Sequence, residues 1–419
     1  MIVDGTRLLP ALLTPPPSKS DAIRALVLTE ILGLSLPEIG DGVPSDVRLM
    51  ANGLRALRSR GPRRVDCHDG GAPFRVLLSQ AALRSGETQL FGTARLAERP
   101  HEPLIEALAE ALGPVGLTIT RGSPWPLTVF GIDLGQHGLP QAVQRSFRVR
   151  GGESSQFATS LLLAAASLAR AEDKPWTVTL TGARVSEGYL ALTIRWLTVA
   201  GFVCTCEADG VTIAASPTPE RAKAVLLDWP ADWSSAAYLL LVAWRSGGRV
   251  AWLDPESPQP DRAILDLLRQ VGLSVARASD GSVEVRGVAR TGVSISAARC
   301  PDLVPTLAAL ASVLPSPSEF HDVHLLRSKE SDRLAGLLAL LDAAGVSASV
   351  SGNSLRVEPQ TDAPRPFRAR TLGDHRLAMS AACLAILLHT SVELDDAACV
   401  EKSFPGFFRE LRRTCAISW

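Results

Sequence analysis

Lysine is scarce in this sequence. Of 43 basic residues only five are lysines, at positions 19, 174, 223, 329 and 402, and the other 38 are arginines. Three of the five, Lys19, Lys329 and Lys402, lie in short serine-flanked motifs. Lysine is a compact charge whose pKa shifts readily, so it holds an anion and also moves a proton. A few lysines survive by chance in any arginine-rich chain, but this distribution favours an active site.

Other absences narrow the class of protein. The richest apolar run, Leu161–Ala169, is far too short to span a bilayer, and the N-terminal MIVDGTRLLP lacks the apolar stretch of a signal peptide. The formal net charge is zero, so no overall field attracts nucleic acid or an anionic membrane. The seven cysteines are scattered and do not show the spacing of a metal site. We therefore expect a cytoplasmic protein with reduced thiols and with neither nucleic acid nor membrane as a partner.

The length of the chain predicts two domains. A chain of 419 residues, 46% of them hydrophobic, is too long for one ordinary core. Proline-rich stretches at Leu13–Pro17 and around Pro217–Pro230 are typical of linkers. We expect one discontinuous domain, residues 1–17 plus 231–419, and one continuous domain, residues 18–230.

One local pattern recurs along the chain. A polar, glycine- or serine-rich turn leads into a helix that is apolar nearly all round, which is typical of a buried helix. Such helices begin near Ser20, Ala72, Ser155, Ser234, Pro305 and His375. Alternating stretches predict strands at Trp176–Leu180, Val211–Ala214 and Val283–Arg286. Amphipathic helices are predicted at Glu102–Leu112, Ala263–Val271 and Leu334–Ala343. The sequence thus predicts a repeated β/α unit with buried helices.

Two of these helix starts have residues suited to an anion. Free backbone N–H groups at a helix N-terminus bind phosphate or carboxylate. Lys19, Ser20 and Arg24 stand at one start, and Ser154, Ser155 and Gln156 at another. Serine is also a common N-cap, so a purely structural role stays open for both.

Charged residues precede three further helices. Arg99 follows RLAE, the motif RSKESDR contains Lys329, Glu330 and Arg333, and DHR contains Asp374 and Arg376. A solvated loop or a capping network would explain the first two. The third precedes an otherwise apolar helix, where buried charges need a partner or a ligand. Convergence of so many cations in a neutral chain predicts a heavily anionic ligand set. Neither a P-loop nor a G-x-G-x-x-G motif occurs, so a nucleotide is not indicated.

Taken in order, the motifs resemble those of the EPSP synthase (3-phosphoshikimate 1-carboxyvinyltransferase) family. The matching stretches run from residue 15 to residue 408: PPSKSDAIRAL, GGAPFR, RLAERPHEPLIEAL, GGESSQF, SEGYLALT, DWSSAAY, PDLVPTLAA, RSKESDRL, GDHRLAM and EKSFPGFF. Each stretch alone is weak evidence for the family, but ten stretches in the family's order make a specific match.

The resemblance implies a two-domain α/β enolpyruvyl transferase fold, an inside-out α/β barrel. Each domain would contain three βαβαββ units with buried helices, and the active site would lie in the cleft between the domains. The implied enzyme is a monomer that uses no metal and no cofactor. It transfers the enolpyruvyl group of phosphoenolpyruvate to the 5-hydroxyl of shikimate 3-phosphate in the shikimate pathway, and releases phosphate.

The resemblance also implies residue roles, motif by motif. Shikimate 3-phosphate would be bound by Lys19, Ser20, Arg24, Ser154, Ser155, Gln156, Ser186, Tyr189, Asp302 and Lys329. Phosphoenolpyruvate would be bound by Lys19, Gly71, Arg99, Gln156, Arg333, Arg376 and Lys402. Proton transfer would fall to Lys19, Asp302, Glu330 and Lys402.

The chain departs from the family pattern at several positions. The usual Asn-Ala-Gly-Thr reads Asp69-Gly70-Gly71-Ala72 and is followed by Pro73, and the Asn expected before RSKESDR is Leu325. A carboxylate at Asp69 would repel phosphoenolpyruvate unless Arg75 or a lysine pairs with it. The changes predict weaker binding of phosphoenolpyruvate or of inhibitors.

Three other functions stay open. The sister enzyme that acts on UDP-N-acetylglucosamine usually has a loop cysteine, but the corresponding stretch Glu87–His101 contains none. A divergent paralogue acting on another hydroxylated acceptor is compatible with Asp69 and Leu325. A non-catalytic binding protein on the same fold would be expected to lose Lys19, Asp302 or Glu330, and all three are present.

Overall fold

The chain divides into two compact units. The computed structural model describes residues 1–134, 139–152, 154–182, 185–214 and 228–418. The terminal unit comprises Met1–Ser18, Asp41–Ser45 and Pro230–Trp419, and the middle unit comprises Lys19–Gly40 and Asp46–Trp229. These bounds differ from the sequence-based division by a single residue at each crossing and by the short segment Asp41–Ser45. Most of the linker expected around Pro217–Pro230 lies outside the described residues.

The described residues of the terminal unit form three four-stranded sheets. In order of pairing, the strands of the first are Phe367–Ala369, Ser391–Leu394, Ile2–Asp4 and Ala416–Ser418. Those of the second are Ser274–Arg277, Val283–Arg286, Arg249–Val250 and Leu12–Leu13. Those of the third are Ser294–Ser296, Ser318–His321, Ser354–Val357 and Ala348–Ser351.

The helices of the terminal unit pack their apolar residues into one core. The α-helices are Trp233–Ser246, Ile264–Gln270, Val304–Ala311, Arg333–Ala343, His375–Leu387 and Phe407–Leu411. Short 3-10 helices lie at Pro260–Ala263, Val323–Leu326 and Ala398–Lys402.

The described part of the middle unit contains two four-stranded sheets. One pairs Arg63–Asp66, Gly86–Phe91, Leu127–Gly131 and Thr118–Arg121, and the other pairs Ser146–Arg150, Trp176–Thr181, Gly210–Ala214 and Val203–Cys206. The helices are Lys19–Ile31, Ser45–Leu57, Gly71–Ala82, Ala94–Glu98, Glu102–Leu112, the 3-10 turn Gly113–Val115, Ser155–Glu172 and Glu187–Val199.

All five sheets share one strand arrangement. In the second sheet of the middle unit, Ser146–Arg150 pairs parallel with Trp176–Thr181, and the helix Ser155–Glu172 connects them. The strand Gly210–Ala214 then pairs antiparallel with Trp176–Thr181 and with its own hairpin partner Val203–Cys206. The predicted βαβαββ unit is therefore confirmed as the repeating element.

Within the terminal unit, two of the βαβαββ repeats are assembled from distant parts of the chain. The N-terminal strand Ile2–Asp4 lies between Ser391–Leu394 and Ala416–Ser418, antiparallel to both. The strand Leu12–Leu13 pairs parallel with Arg249–Val250, so the whole middle unit intervenes between these two strands. Both chain ends belong to one unit because its sheets need strands from each end.

The predicted buried helices are confirmed, each beginning within one residue of the expected position. All thirteen residues of His375–Leu387 are buried, as their apolar character requires. The resemblance also implied three sheet-bearing units in each domain. In the described part of the middle unit two are complete, and the helices Lys19–Ile31 and Ser45–Leu57 precede them in the chain.

Among the described residues, every helix falls short of the length or the apolar character that a bilayer span requires.

The pairing of the N-terminal strand gives a stability prediction. Val3 is fully buried opposite Val392 and Ile417, whereas the side chain of the adjacent Ile2 is 43% exposed. We expect Val3→Ala to lower the free energy of unfolding by about 2 kcal/mol, because two methyl groups leave a packed core. Urea unfolding followed by circular dichroism measures this loss, with Ile2→Ala as the matched control. An equal loss in both variants would contradict the observed register.

Candidate active site

In the terminal unit, one buried guanidinium is surrounded by carboxylates. Arg333 is the first residue of the helix Arg333–Ala343 and its side chain is fully buried. Its Nη1 lies 3.0 Å from Asp302 Oδ1, its Nη2 2.5 Å from Glu330 Oε2, and its Nε 2.9 Å from Asp374 Oδ2. Burial alone would lower the pKa of Arg333, but Asp374, Glu330 and Asp302 together raise it. Arg333 is therefore permanently charged and fixes the orientation of the three acids.

A second arginine holds the other oxygen of Asp302. Arg376 follows His375 at the start of the buried helix His375–Leu387, and Asp374 caps that helix by accepting a hydrogen bond from the Arg376 backbone N–H at 2.9 Å. The Arg376 guanidinium contacts Asp302 Oδ2 at 3.0 Å and donates to the Asp302 carbonyl at 3.2 Å. The two charged residues at the start of this helix, Asp374 and Arg376, thus have partners inside the unit, which is one of the two outcomes that the sequence analysis left open.

These cations change the acidity of Asp302. Burial would raise the pKa of the Asp302 carboxyl, but Arg376, Lys329 and Arg333 outweigh burial and hold that pKa well below its usual range. The carboxylate is therefore ionised at neutral pH and, in this arrangement, is a weak proton acceptor.

Two lysines complete this group, which we call the terminal cluster: Asp302, Lys329, Glu330, Arg333, Asp374, Arg376 and Lys402. Lys402 ends the 3-10 helix Ala398–Lys402, is buried, and places Nζ 4.0 Å from Glu330 Oε1. Lys329 acts electrostatically on Asp302. All six predicted residues of the terminal unit therefore lie in one cluster.

In the middle unit, Arg99 lies directly against Gly71. A Cβ built on Gly71 would come within 2.3 Å of Arg99 Nη1, so only glycine leaves room for the guanidinium here. Gly71 is the first residue of the helix Gly71–Ala82, whose backbone N–H groups favour an anion. The buried guanidinium and the helix start together form a surface suited to a carboxylate or phosphate.

Lys19 is held next to the same turn by an acid that the sequence analysis missed. Lys19 Nζ lies 3.0 Å from Asp46 Oδ2, and the Asp46 side chain is almost completely buried. A Cβ on Gly70 would lie 3.0 Å from Asp46 Oδ1, so Asp46 packs against the Gly70–Gly71 turn. An aspartate at the start of the helix Ser45–Leu57 looks like an ordinary first-turn acid in the sequence, and only the fold shows its partner.

Arg75 is a second residue without a predicted binding or catalytic role, since the sequence analysis named it only as a possible partner for Asp69. It is buried inside the helix Gly71–Ala82, lies 5.2 Å over the Phe157 ring, and donates to Gln156 Oε1. It also donates to the Pro100 carbonyl at 2.9 Å, immediately after Arg99. Arg75 thereby connects the predicted residue Gln156 to the Arg99 segment. The sequence signal that the analysis did not use is a lone arginine within an apolar helix.

Arg24 is held by neutral acceptors. Its guanidinium donates to Thr193 Oγ1 at 2.9 Å, Thr159 Oγ1 at 3.0 Å, and the carbonyls of Tyr189 at 3.0 Å and Ser20 at 2.7 Å. Burial first of all lowers its pKa to about 10, so it is charged at neutral pH. Three predicted residues, Ser20, Arg24 and Tyr189, are brought together by this network.

The predicted serines occupy two other helix starts. Ser154 caps the helix Ser155–Glu172 by accepting from the Gln156 N–H at 3.2 Å, so the capping role is present. Ser155 is the first residue of that helix and is half-buried. Ser186 precedes the helix Glu187–Val199 with a φ of 54°, is buried, and makes no side-chain cap.

The structure also locates the departures from the family pattern. Asp69 Oδ1 lies 3.2 Å from His68 Nδ1, a partner that the sequence analysis did not name. Leu325 is half-buried in the 3-10 helix Val323–Leu326. Of the two lysines without a motif, Lys174 is exposed, and Lys223 lies outside the described residues.

Comparison with known proteins identifies a family. The sequence profile of EPSP synthase (3-phosphoshikimate 1-carboxyvinyltransferase) matches residues 59–411. The 3-phosphoshikimate 1-carboxyvinyltransferase of Methanoregula boonei is 32% identical over 423 residues, covering 96% of each chain. That of Aeropyrum pernix is 32% identical over 402 residues, covering 95% of this chain and 86% of the other.

Solved structures show the same fold. EPSP synthase from Acinetobacter baumannii superposes with a TM-score of 0.71 and 19% identity, covering 98% of this chain and 97% of the other. The enolpyruvyl transferase NikO from Streptomyces tendae superposes with a TM-score of 0.67 and 14% identity, covering 99% of each chain. The expected enolpyruvyl transferase fold is confirmed, and the chain belongs to the EPSP synthase (3-phosphoshikimate 1-carboxyvinyltransferase) family.

Proposed function

We propose that this chain transfers the enolpyruvyl group of phosphoenolpyruvate to the 5-hydroxyl of shikimate 3-phosphate, giving 5-enolpyruvylshikimate 3-phosphate and phosphate. The observation that carries the proposal is the terminal cluster, in which two arginines and two lysines surround Asp302 and Glu330 in a family member. This reaction brings together two phosphates and two carboxylates, so it needs that concentration of cations.

The reaction has two stages. First the 5-oxygen bonds to C2 of phosphoenolpyruvate, its proton passes to a base, and C3 gains a proton. Then the bond from C2 to the phosphate oxygen breaks, C3 loses a proton, and the double bond is restored. We assign the proton transfers to the carboxylates Asp302 and Glu330 with Lys19 and Lys402. Lys402 lies beside Glu330, whereas the carboxylate beside Lys19 is Asp46.

Binding roles follow the contacts within each unit. In the terminal unit, Arg333, Arg376 and Lys402 would bind phosphoenolpyruvate, while Asp302 and Lys329 would bind the sugar-like acid. In the middle unit, Arg99 over Gly71, with Lys19 and Gln156, would also hold phosphoenolpyruvate. Ser20, Arg24, Ser154, Ser155, Ser186 and Tyr189 would hold shikimate 3-phosphate.

The direct test is phosphate release by the purified full-length chain. We expect release that depends on both shikimate 3-phosphate and phosphoenolpyruvate, because the addition step consumes one molecule of each. Reactions that lack either substrate detect a contaminating phosphatase. A folded protein that releases phosphate equally without shikimate 3-phosphate would overturn the proposal. Turnover with another hydroxylated acceptor alone would favour a divergent paralogue.

The retained lysine at position 19 gives a second prediction. Lys19→Arg keeps the positive charge near Asp46, but a guanidinium does not give up its proton. We expect kcat to fall about a hundredfold or more, in line with the loss of a proton-transfer group. The matched control is Lys174→Arg, an exposed lysine without a motif, which should keep full activity. Full activity in Lys19→Arg would mean that only charge matters at this position.

The contact between Gly71 and Arg99 gives a third prediction. Gly71→Ala would place a methyl group within 2.3 Å of Arg99 Nη1, and the flexible guanidinium would move away while the helix stays folded. We expect KM for phosphoenolpyruvate to rise about tenfold or more, as for the loss of a charge-assisted hydrogen bond.

The control for this variant is Gly113→Ala, where a Cβ meets open space at a φ of −55°. Steady-state kinetics with each substrate varied in turn separate the two affinities. An unchanged KM in Gly71→Ala would remove Arg99 from the binding role assigned to it.

A further inference from the structure

A buried acid outside the predicted site lies next to the terminal cluster. Asp261 belongs to the 3-10 turn Pro260–Ala263 and is 1% exposed. The Ser234 hydroxyl donates to its Oδ2 from the first turn of the helix Trp233–Ser246. Within the described part of the chain, Oδ1 is enclosed and meets no hydrogen-bond donor. An enclosed carboxyl oxygen of this kind is costly when ionised and is tolerated when it carries a proton.

The turn that contains Asp261 packs against the segment that contains Asp302. The Cys300 thiol donates to the Pro260 carbonyl at 3.7 Å, two residues before Asp302. Asp261 also interacts electrostatically with Asp302 and with Arg376, the arginine that contacts Asp302 Oδ2 at 3.0 Å. Arg376 thus contacts Asp302 directly and acts on Asp261 through its charge.

Burial is the main reason that Asp261 holds its proton strongly. It raises the pKa of the Asp261 carboxyl to about 7, the charge of Asp302 adds to the effect, and Arg376 and the Ser234 hydroxyl oppose it. Asp261 therefore changes charge near neutral pH, where Asp302 is already ionised.

We propose that Asp261 is a positioning residue that sets the proton affinity of Asp302, and that the ionised form of Asp261 makes Asp302 the better base. The inference rests on the proposed function, in which Asp302 accepts a proton. A carboxylate held at low pKa by its cations is a poor acceptor. A second negative charge beside it draws on the same arginine and raises the affinity of Asp302 for a proton.

Three other ionisable groups lie near Asp261, and each has its own partners or stays neutral. Asp232 caps the helix Trp233–Ser246 by accepting from the Ser235 N–H at 2.7 Å. Burial in the first place, and then Asp261, raises the pKa of the Cys300 thiol to about 12, so it stays neutral. Arg262, on the same turn, points its guanidinium to Asp266 at 3.6 Å.

The test compares pH profiles of kcat/KM. In the unmodified protein we expect kcat/KM to rise about tenfold from about pH 6 to about pH 8, as one group near neutrality loses its proton. Asp261→Asn keeps the shape and the bond to Ser234 but cannot ionise. We expect this variant to stay at the low-pH rate across that range. The phosphate groups of the substrates titrate alike in both proteins, so only the difference between the two profiles counts.

A second variant moves the titration instead of removing it. Ser234→Ala deletes the hydrogen bond that favours ionised Asp261, so the rising limb should shift to higher pH. A purely structural role for the turn would lower the rate without shifting the limb. The Ser234→Ala profile decides the question by itself if Asp261→Asn does not fold.

The outcomes separate the inference from the function on which it rests. Asp261→Asn with the same rise as the unmodified protein, or Ser234→Ala with an unshifted limb, overturns the inference and leaves the proposed function standing. An unmodified protein without substrate-dependent phosphate release at any pH overturns both.

Discussion

The terminal cluster depends on the burial of one arginine. The Arg333 guanidinium is fully buried and contacts Asp302, Glu330 and Asp374 at 2.5–3.0 Å. Removing one partner of a buried ion pair costs about 3–5 kcal/mol, because the remaining charge has no compensation. These acids come from three separate segments of the chain, so the arginine fixes the relative positions of those segments. With Arg376 and the two lysines, the four cations of the cluster outnumber its three acids by one.

The repeated unit explains why the charged residues gather at helix starts. Several of the helices are buried and largely apolar along their length, so charged side chains concentrate at their starts, whereas Arg24 and Arg75 inside such helices need hydrogen-bond acceptors of their own. Arg376, Gly71 and Lys19 lie in the first two positions of buried helices, and Arg333 is the first residue of an amphipathic one. The same ends offer backbone N–H groups to an anion. The start of a buried helix therefore suits an anion where a cation lies beside it, as Arg99 does beside Gly71.

The sequence predicted local features well and long-range pairs poorly. Helices without a polar face are unusual, so their starts near Ser155 and His375 were predicted to the residue. Asp46, Arg75 and Asp261 were missed as site residues because the role of each depends on a contact with a residue distant in the chain. The contact of Asp46 with Lys19 is one example. No periodicity encodes such a pairing. The order of the motifs along the chain, unlike hydrophobic periodicity, predicted the residues that form the terminal cluster.

The choice between arginine and lysine follows the contacts of each position. Arg333 satisfies three carboxylates at once, and Arg24 donates to four neutral oxygens, geometries that need the planar, five-donor guanidinium. Lys19 and Lys402 each place one ammonium beside a carboxylate, at 3.0 Å from Asp46 and 4.0 Å from Glu330. A lysine ammonium gives up its proton far more readily than a guanidinium does. The two lysines to which the proposed reaction assigns a proton transfer therefore stand at positions where a guanidinium would not replace them.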